Sequence, residues 1–391
     1  MKRRAWAVLL TCALSAAASA ERLTLDEALA SVAAPHPDRR VAESALALSR
    51  ADREQAASRQ DFSLFLDGSL RTGRRPDGDW KPGQAELLNV ESLRRIDIMA
   101  RYFDVLLADM QSAADSEFVA VAYVSWDNAR DRFEVGQVSQ PDLLRLEAEY
   151  QDLRERRNAN QQRMRSTRQK LAHALNRPGK LPTELADPAL ADNGRPLPAY
   201  ESLLPWVMQK NPRVLALQAQ AAAADARLAA VRAERNPMLD AEVVGGGYSR
   251  ESTTRDELSA GLVFNIPLYQ GARVDSRMAR ELAQKERSVA ELEKLKLDLA
   301  DTLLATLQEI EWLRDSGRPA ADKQIEYRDW ALERSRAEYE LELKTNLGPS
   351  MAETQQAQLR RKQVEYRLAL ALARLEALSG GSLPPVEGAQ K

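Results

Sequence analysis

Leu25-Asp26-Glu27-Ala28-Leu29, then His36-Pro37 and an Ala/Arg-rich run, returns later in the chain as Tyr200-Glu201-Ser202-Leu203-Leu204, Asn211-Pro212 and another Ala-rich run. The same order of signals continues in both places. A short alternating segment starts at Phe62 in the first copy and at Leu239 in the second, and Arg132-Phe133-Glu134-Val135-Gly136 answers to Ala337-Glu338-Tyr339-Glu340-Leu341. Pro37 and Pro212 align at a spacing of 175, far above the roughly 20–50 residues of solenoid repeats. The chain is therefore read as two duplicated halves lying side by side in one body.

Composition fixes what the halves are made of. Of 391 residues, 5% are aromatic and 29% charged, and Ala, Leu, Arg, Glu and Gln dominate, as in long helices. Helix is expected from Pro37 to about Gln60, from near Glu86, over 142–176 and over 351–379, with Gly179 and Gly380-Gly381 as stop signals. Leu282, Val289, Leu292, Leu299, Leu303, Ile310 and Leu313 recur at three and four residue spacings and predict a coiled-coil seam. At Phe62, Leu64, Leu66, Gly68 and Leu70 the period drops to two, which predicts a strand with one apolar face, broken by Phe65. The second copy predicts a hairpin: Leu239, Ala241, Val243, Gly245 and Gly247, a polar turn from Ser249 to Glu257, then Leu258, Ala260, Leu262, Phe264 and Ile266. Pro267-Leu268-Tyr269-Gln270-Gly271 closes it and launches a helix.

Met1-Lys2-Arg3-Arg4, the apolar run Ala5 to Ala17 and Ala18-Ser19-Ala20 form a secretory signal peptide over residues 1–20. The rival reading, lipidation at Cys12, leaves an apolar run of only about seven residues, at the bottom of the usual range. Cleavage after Ala20 removes the single cysteine, so no disulfide is expected. Residues 21–185 form the first repeat, 186–198 a linker within the proline-rich stretch Pro178–Pro198, 199–383 the second repeat and 384–391 a tail. No later segment has the roughly 18 uninterrupted apolar residues of a transmembrane helix. A formal net charge of −2 gives no bulk attraction to nucleic acid.

Nothing in the sequence supports catalysis, a metal site or a cofactor. The two histidines, His36 and His173, have no histidine or cysteine nearby and are expected at the surface or in packing. Acid pairs such as Glu147/Glu149 and Glu291/Glu293 stand among equally frequent cations, as on solvated helix faces. Gly245-Gly246-Gly247 lacks the following helix and lysine of a phosphate cradle and is read as strand curvature. Trp126, Trp312 and Trp330 are expected to pack in the seam rather than stack on a ligand.

This order of signals resembles the TolC-type outer-membrane factors, the outer membrane efflux protein family, over nearly the whole mature chain. Arg132-Phe133-Glu134-Val135-Gly136-Gln137-Val138-Ser139-Gln140-Pro141-Asp142-Leu143-Leu144 is similar to the family's helix-turn-helix tip. Its second counterpart, from Glu338 to Leu347, is less faithful, with Glu342 in place of glycine and Gly348 in place of aspartate. The resemblance implies a mainly α fold with a small β-hairpin part. Duplicated coiled-coil helices form an α-barrel in the periplasm, and strands of a homotrimer form one outer-membrane β-barrel. It implies a passive exit duct served by a periplasmic adaptor (membrane fusion) protein and an inner-membrane transporter, proton-driven of the resistance-nodulation-division class or ATP-driven. The docking tips are Gly136, Gln137, Ser139, Asp142, Leu341, Leu343 and Thr345. The lipid-facing strand is Leu258, Ala260, Leu262 and Phe264, and lipid contact independently demands a closed barrel.

One departure stands out. Phe133 and Tyr339 align at 206 rather than 175, so the first copy is the shorter by the excess, 31. The deficit is expected after the Phe62 strand, where Gly73-Arg74-Arg75-Pro76-Asp77-Gly78-Asp79-Trp80-Lys81-Pro82-Gly83 replaces a return strand. The alternative reading is thus a non-conducting periplasmic helical scaffold or accessory subunit of the same family.

Overall fold

In the computed structural model, residues 22–58, 82–245, 258–269, 271–341 and 347–385 are described. The first half contributes α1 (Leu25–Ala30), α2 (Pro37–Ser58), α3 (Pro82–Glu134) and α4 (Gln140–Ala174). From the second come α5 (Tyr200–Lys210), α6 (Pro212–Ala233), β1 (Met238–Gly245), β2 (Leu258–Asn265), α7 (Arg273–Trp312), α8 (Arg318–Glu340) and α9 (Gly348–Leu378). The signal peptide with Cys12, the strand expected from Phe62, the stretch from Gly73 to Lys81, Gly246-Gly247, the turn from Ser249 to Glu257 and Gln270 lie outside the described residues. No described helix is long and apolar enough to cross a membrane.

Local chemistry sets the helix ends. At α1, Thr24 Oγ1 accepts from Glu27 N (3.2 Å) and Glu27 Oε2 accepts from Thr24 N (2.8 Å), a reciprocal capping box. Those bonds hold the Glu27 carboxyl below its ordinary range. The two Xaa-Pro starts do the same work with different atoms. Asn211 Oδ1 accepts from Arg213 N (3.0 Å) above α6, and His36 Nδ1 accepts from Asp38 N (3.3 Å) above α2. Both helices that follow have 22 residues.

Three helices end alike. Gln137 N donates to Arg132 O, Arg177 N to Ala172 O and Gly381 N to Glu376 O (2.8 Å each), the long bond of a Schellman turn. The residue in the left-handed region is Gly136, Asn176 and Gly380 in turn. Gly179 is therefore not the stop signal of α4; the helix has already closed on Asn176, whose amide side chain tolerates positive φ. Gly380 has no such substitute, because a Cβ there would lie 2.5 Å from Lys210 O.

The long helices form an open row, α4 against α3, α3 against α9, and α9 against α7 and α8. The core sits where the short helices and the linker cross this row. Phe103 of α3 stacks on Tyr366 of α9 with ring centroids 4.4 Å apart and planes 4° from parallel. Ile98, Tyr102, Val105 and Leu171 are buried around them. A second cluster joins Leu203 and Val207 of α5 to Leu303, Leu307 and Ile310 of α7 and Leu372 and Leu375 of α9. The seam predicted along α7 is thus buried toward its C-terminal end: Leu299, Leu303, Ile310 and Leu313 are covered, while Leu282 and Val289 are exposed because no described element covers that stripe. Trp312 and Trp330 are likewise exposed rather than packed; Arg367 lies over the Trp312 ring at 5.6 Å.

The linker is a clasp. Asp187 accepts from Lys362 Nζ (2.6 Å) and Tyr366 Oη (2.7 Å), Asn193 Nδ2 donates to Glu365 O (3.0 Å), and Arg314 donates to the carbonyls of Asn193 (3.1 Å) and Arg195 (2.8 Å). The start of the described chain joins in: Leu23 forms a parallel bridge with Leu185, and the Tyr102 hydroxyl lies 2.7 Å from both Leu23 O and Ala186 O, sharing its proton between them. Burial pushes the Tyr102 phenol up to about 12.

Between α7 and α8, Leu313–Gly317 is a π-helical turn in which Arg318 N donates to Leu313 O. Pro319 explains it. Proline has no N–H for Asp315 O, and its ring would strike that carbonyl, so the preceding turn widens. The widening also resolves the repeat register. Below it, Ala321 matches Asp115 and Ser335 matches Ala129 at a spacing of 206; above it, Leu303, Leu307 and Ile310 match Ile98, Tyr102 and Val105 at 205. The π insertion thus accounts for one position of the deficit.

The rest is shared between two places. From Ser58 to Pro82 the numbering advances by 24 and from Ala233 to Arg273 by 40, so the span between α6 and α7 is the longer by 16. In addition Pro82 precedes Ile98 by 16, whereas Arg273 precedes Leu303 by 30, so α7 extends further by 14. Among the described residues the deficit is therefore not a missing return strand alone: α7 carries 14 more helical positions than α3 before the core, a length of roughly 21 Å at 1.5 Å per residue.

Two measurements test this packing. Gly380→Ala combines a left-handed backbone with a clash, so it should lower the thermal midpoint clearly, by the equivalent of about 2 kcal/mol or more, while Gly381→Ala, with nothing within 4 Å, should cost less. The Tyr102 pKa is raised, so its stabilisation is complete below about pH 10, the unfolded value, and is lost as pH rises through about 12. Alkaline unfolding followed by circular dichroism should be shallower in Tyr102→Phe than in the parent chain.

Candidate functional site: helix tips and hairpin

The first tip is built on its caps. After the Schellman turn at Gly136 (φ +73°), Ser139 caps α4: its Oγ accepts from Asp142 N (3.3 Å) and donates to Asp142 Oδ2 (2.5 Å). Two of the sequence-predicted residues, Ser139 and Asp142, are thus brought together as a cap, with Gln137 exposed between them and Gly136. Of the second tip, Leu341 is described and exposed; Leu343 and Thr345 lie outside the described residues. At the 206 spacing, Phe133 and Val135 correspond to Tyr339 and Leu341, and all four are exposed. Of these four the predicted tip set names only Leu341, although the repeated spacing of the pair is visible in the sequence.

Above the first tip, Trp126 stacks on Tyr150 (5.7 Å, 5°) with Tyr123 against both, so α3 and α4 are fastened by rings. Further up, Arg168 grips Asp109 through two bonds of 2.7 Å. Asp115, 2% exposed, takes Gln111 Nε2 (2.8 Å), Arg156 Nε (3.2 Å) and Asn160 Nδ2. Removing either partner would leave a buried polar group without its bond, so these contacts fix the α3/α4 register. At the second tip, Ser335 and Ser350 hydroxyls meet at 2.7 Å, small side chains that let α8 and α9 approach closely.

The hairpin lies at the opposite end of the long helices. Leu239 pairs with Phe264, Ala241 with Leu262, Val243 with Ala260 and Gly245 with Leu258. Directly paired positions share a face, so the four predicted strand positions and their partners fall on one side of the hairpin. On that side Leu239, Leu262 and Phe264 are 63%, 73% and 62% exposed. Leu268 and Tyr269, at the turn into α7, are more exposed still.

Among the described residues no group of histidine, cysteine and carboxylate side chains is placed to hold a metal ion. His36 is spent as a cap and His173 faces solvent.

Residues 203–381 match the family model of the outer membrane efflux protein. The second half of this chain is thus similar to the outer membrane efflux proteins. No curated protein matches the sequence. Similarity in fold extends across both halves of the chain. A membrane protein from Pseudomonas aeruginosa superposes with a TM-score of 0.70 at 14% identity, covering 92% of this chain and 90% of that one. The CmeC outer membrane channel of Campylobacter jejuni gives 0.72 at 11%, covering 92% and 86%. The open-state MtrE outer membrane channel of Neisseria gonorrhoeae gives 0.61 at 16%, covering 91% and 89%. At these identities the likeness is one of fold: long helices of the TolC kind.

The cap at Ser139 is open to direct test. Ser139→Ala removes the acceptor for Asp142 N and should cost about 1 kcal/mol of local stability. Hydrogen exchange should rise in the first turn of α4 while α3 above Trp126 keeps its protection; unchanged exchange at residues 140–143 would show that the cap contributes nothing.

Proposed function

We propose that this protein is the outer-membrane exit duct of a tripartite efflux or secretion system. It works as a homotrimer whose helices form a periplasmic tunnel and whose hairpins enter the outer membrane. Substrates handed over by an inner-membrane pump and a periplasmic adaptor diffuse through it, and the chain catalyses nothing. The observation that carries this reading is the pairing of an exposed apolar hairpin face with an efflux-family helical body. Such a face finds a partner in hydrocarbon, and its backbone polar groups are satisfied there only in a closed barrel. The tip residues Gly136, Gln137, Ser139, Asp142, Leu341, Leu343 and Thr345 are the adaptor and pump contacts, since recognition concentrates on loops at the ends of rigid elements.

The shortened first half favours a second reading. Three copies of the described hairpin supply six strands, fewer than the roughly eight of the smallest known barrels, so closure requires strands from residues 59–81. Without them the chain is a periplasmic helical scaffold. Planar-bilayer recording separates the two: a duct gives discrete conductance steps and heat-modifiable migration on gels, and a scaffold gives neither. For the tips, Gln137→Lys together with Leu341→Asp should abolish export in cells lacking other outer-membrane factors while trimer and membrane insertion persist. Full export by that variant would remove the tips from the interface.

A further inference from the structure

The duplication places four long-helix positions around a contact that one chain makes only once. Inside the chain, α3 of the first half packs on α9 of the second through Phe103 and Tyr366. The equivalent contact, α7 of the second half on α4 of a first half, has no counterpart among the described residues of one chain, because α4 and α7 stand at opposite ends of the row.

Register can be carried from one contact to the other. Above the π turn α3 and α7 align at 205, which brings Met99 onto Leu304 and Phe103 onto Gln308. The Schellman turns align α4 and α9 at 204, Asn176 on Gly380, and the fully buried Leu171 falls on the fully buried Leu375. By that spacing Tyr366 answers to Gln162, Ala369 to Arg165 and Ala373 to Gln169. Met99, Phe103, Tyr366, Ala369 and Ala373 are all buried, whereas Leu304, Gln308, Gln162, Arg165 and Gln169 are all exposed. The same positions are covered where a neighbour exists and bare where it is missing.

We infer that α7 of one copy receives α4 of a second copy in the register of the internal α3/α9 contact, Gln308 against Gln162 and Leu304 beside Arg165. The inference rests on the trimeric reading above and adds the pairing and its chemistry. The helices run antiparallel, so one turn above Leu304 the exposed Asp301 comes within reach of Arg165. Neither has an ion-pair partner among the described residues. Where the internal seam is an aromatic stack among alanines, the seam between copies is two glutamines and an ion pair. A polar seam of this kind leaves each free edge soluble, so single chains can persist in water before they assemble.

Cysteine pairing tests the register. In a Cys12→Ala background, which has no other cysteine, Gln162→Cys with Gln308→Cys should give disulfide-linked dimers and trimers on oxidation. Each single variant alone should stay monomeric in SDS, and a mixture of the two singles should link. Arg165→Glu should lower the cross-linked fraction severalfold, and adding Asp301→Arg should restore it. A protein that is trimeric by light scattering in detergent yet yields no ladder overturns this register and leaves the duct reading standing. A protein monomeric in detergent removes both.

Discussion

Phe103 lies flat on Tyr366, and this stack is the contact around which the two halves of the chain become a single body. Face-stacked rings bury large apolar areas at low entropic cost, since each has only two side-chain torsions. The hydroxyl of Tyr366 reaches Asp187 in the linker, and the neighbouring Tyr102 reaches Leu23 and Ala186. Polar ends of two aromatic side chains thus tie down the two irregular segments whose backbone groups would otherwise be left unpaired near the core. Burial drives both phenols upward, which keeps them protonated as donors to these acceptors. Truncating Phe103 to alanine would forfeit about 3–5 kcal/mol by the usual cost of an aromatic core deletion, and with it the alignment of the halves.

From that junction the long helices run in opposite directions to two chemically different ends. Toward the tips, the pairing of α3 with α4 relies on charge, Asp109 with Arg168 and Asp115 with Arg156, because these helices are too polar for an apolar seam to align them alone. Toward the hairpin, α6 and α7 are joined by exposed ion pairs such as Arg227 with Glu281 and Arg277 with Glu234, individually worth little in water. Aromatic and aliphatic burial is therefore concentrated at the waist.

The halves are copies in topology but not in length. A single proline, Pro319, accounts for the π turn and for one step of register; the other differences divide between the hairpin span and the upper part of α3. Among the described residues α7 reaches further from the core toward the hairpin than α3 does.

Much of this was written in the sequence. The period of two at Leu258, Ala260, Leu262 and Phe264 specified a strand with one apolar face, since side-chain direction alternates whatever the surroundings, and Leu-Asp-Glu-Ala-Leu behind Thr24 specified a capped helix because its bonds are local. The repeated order of such signals disclosed the duplication. Local signals failed where the answer depended on distant groups or on competing turns. Gly179 looked like the end of α4, but the chain reversed at Asn176 because its amide tolerates positive φ and the closing bonds to Ala172 and His173 were already within reach. Leu282 and Val289 carried the spacing of a seam, yet spacing states only that a stripe exists, not whether one chain supplies its cover. Phe103 and Tyr366 stand in different halves of the chain, and no periodicity could pair them; that contact, the linker clasp and the bare edges of α4 and α7 were decided by tertiary packing, which alone determines which apolar and charged groups a single chain can satisfy by itself.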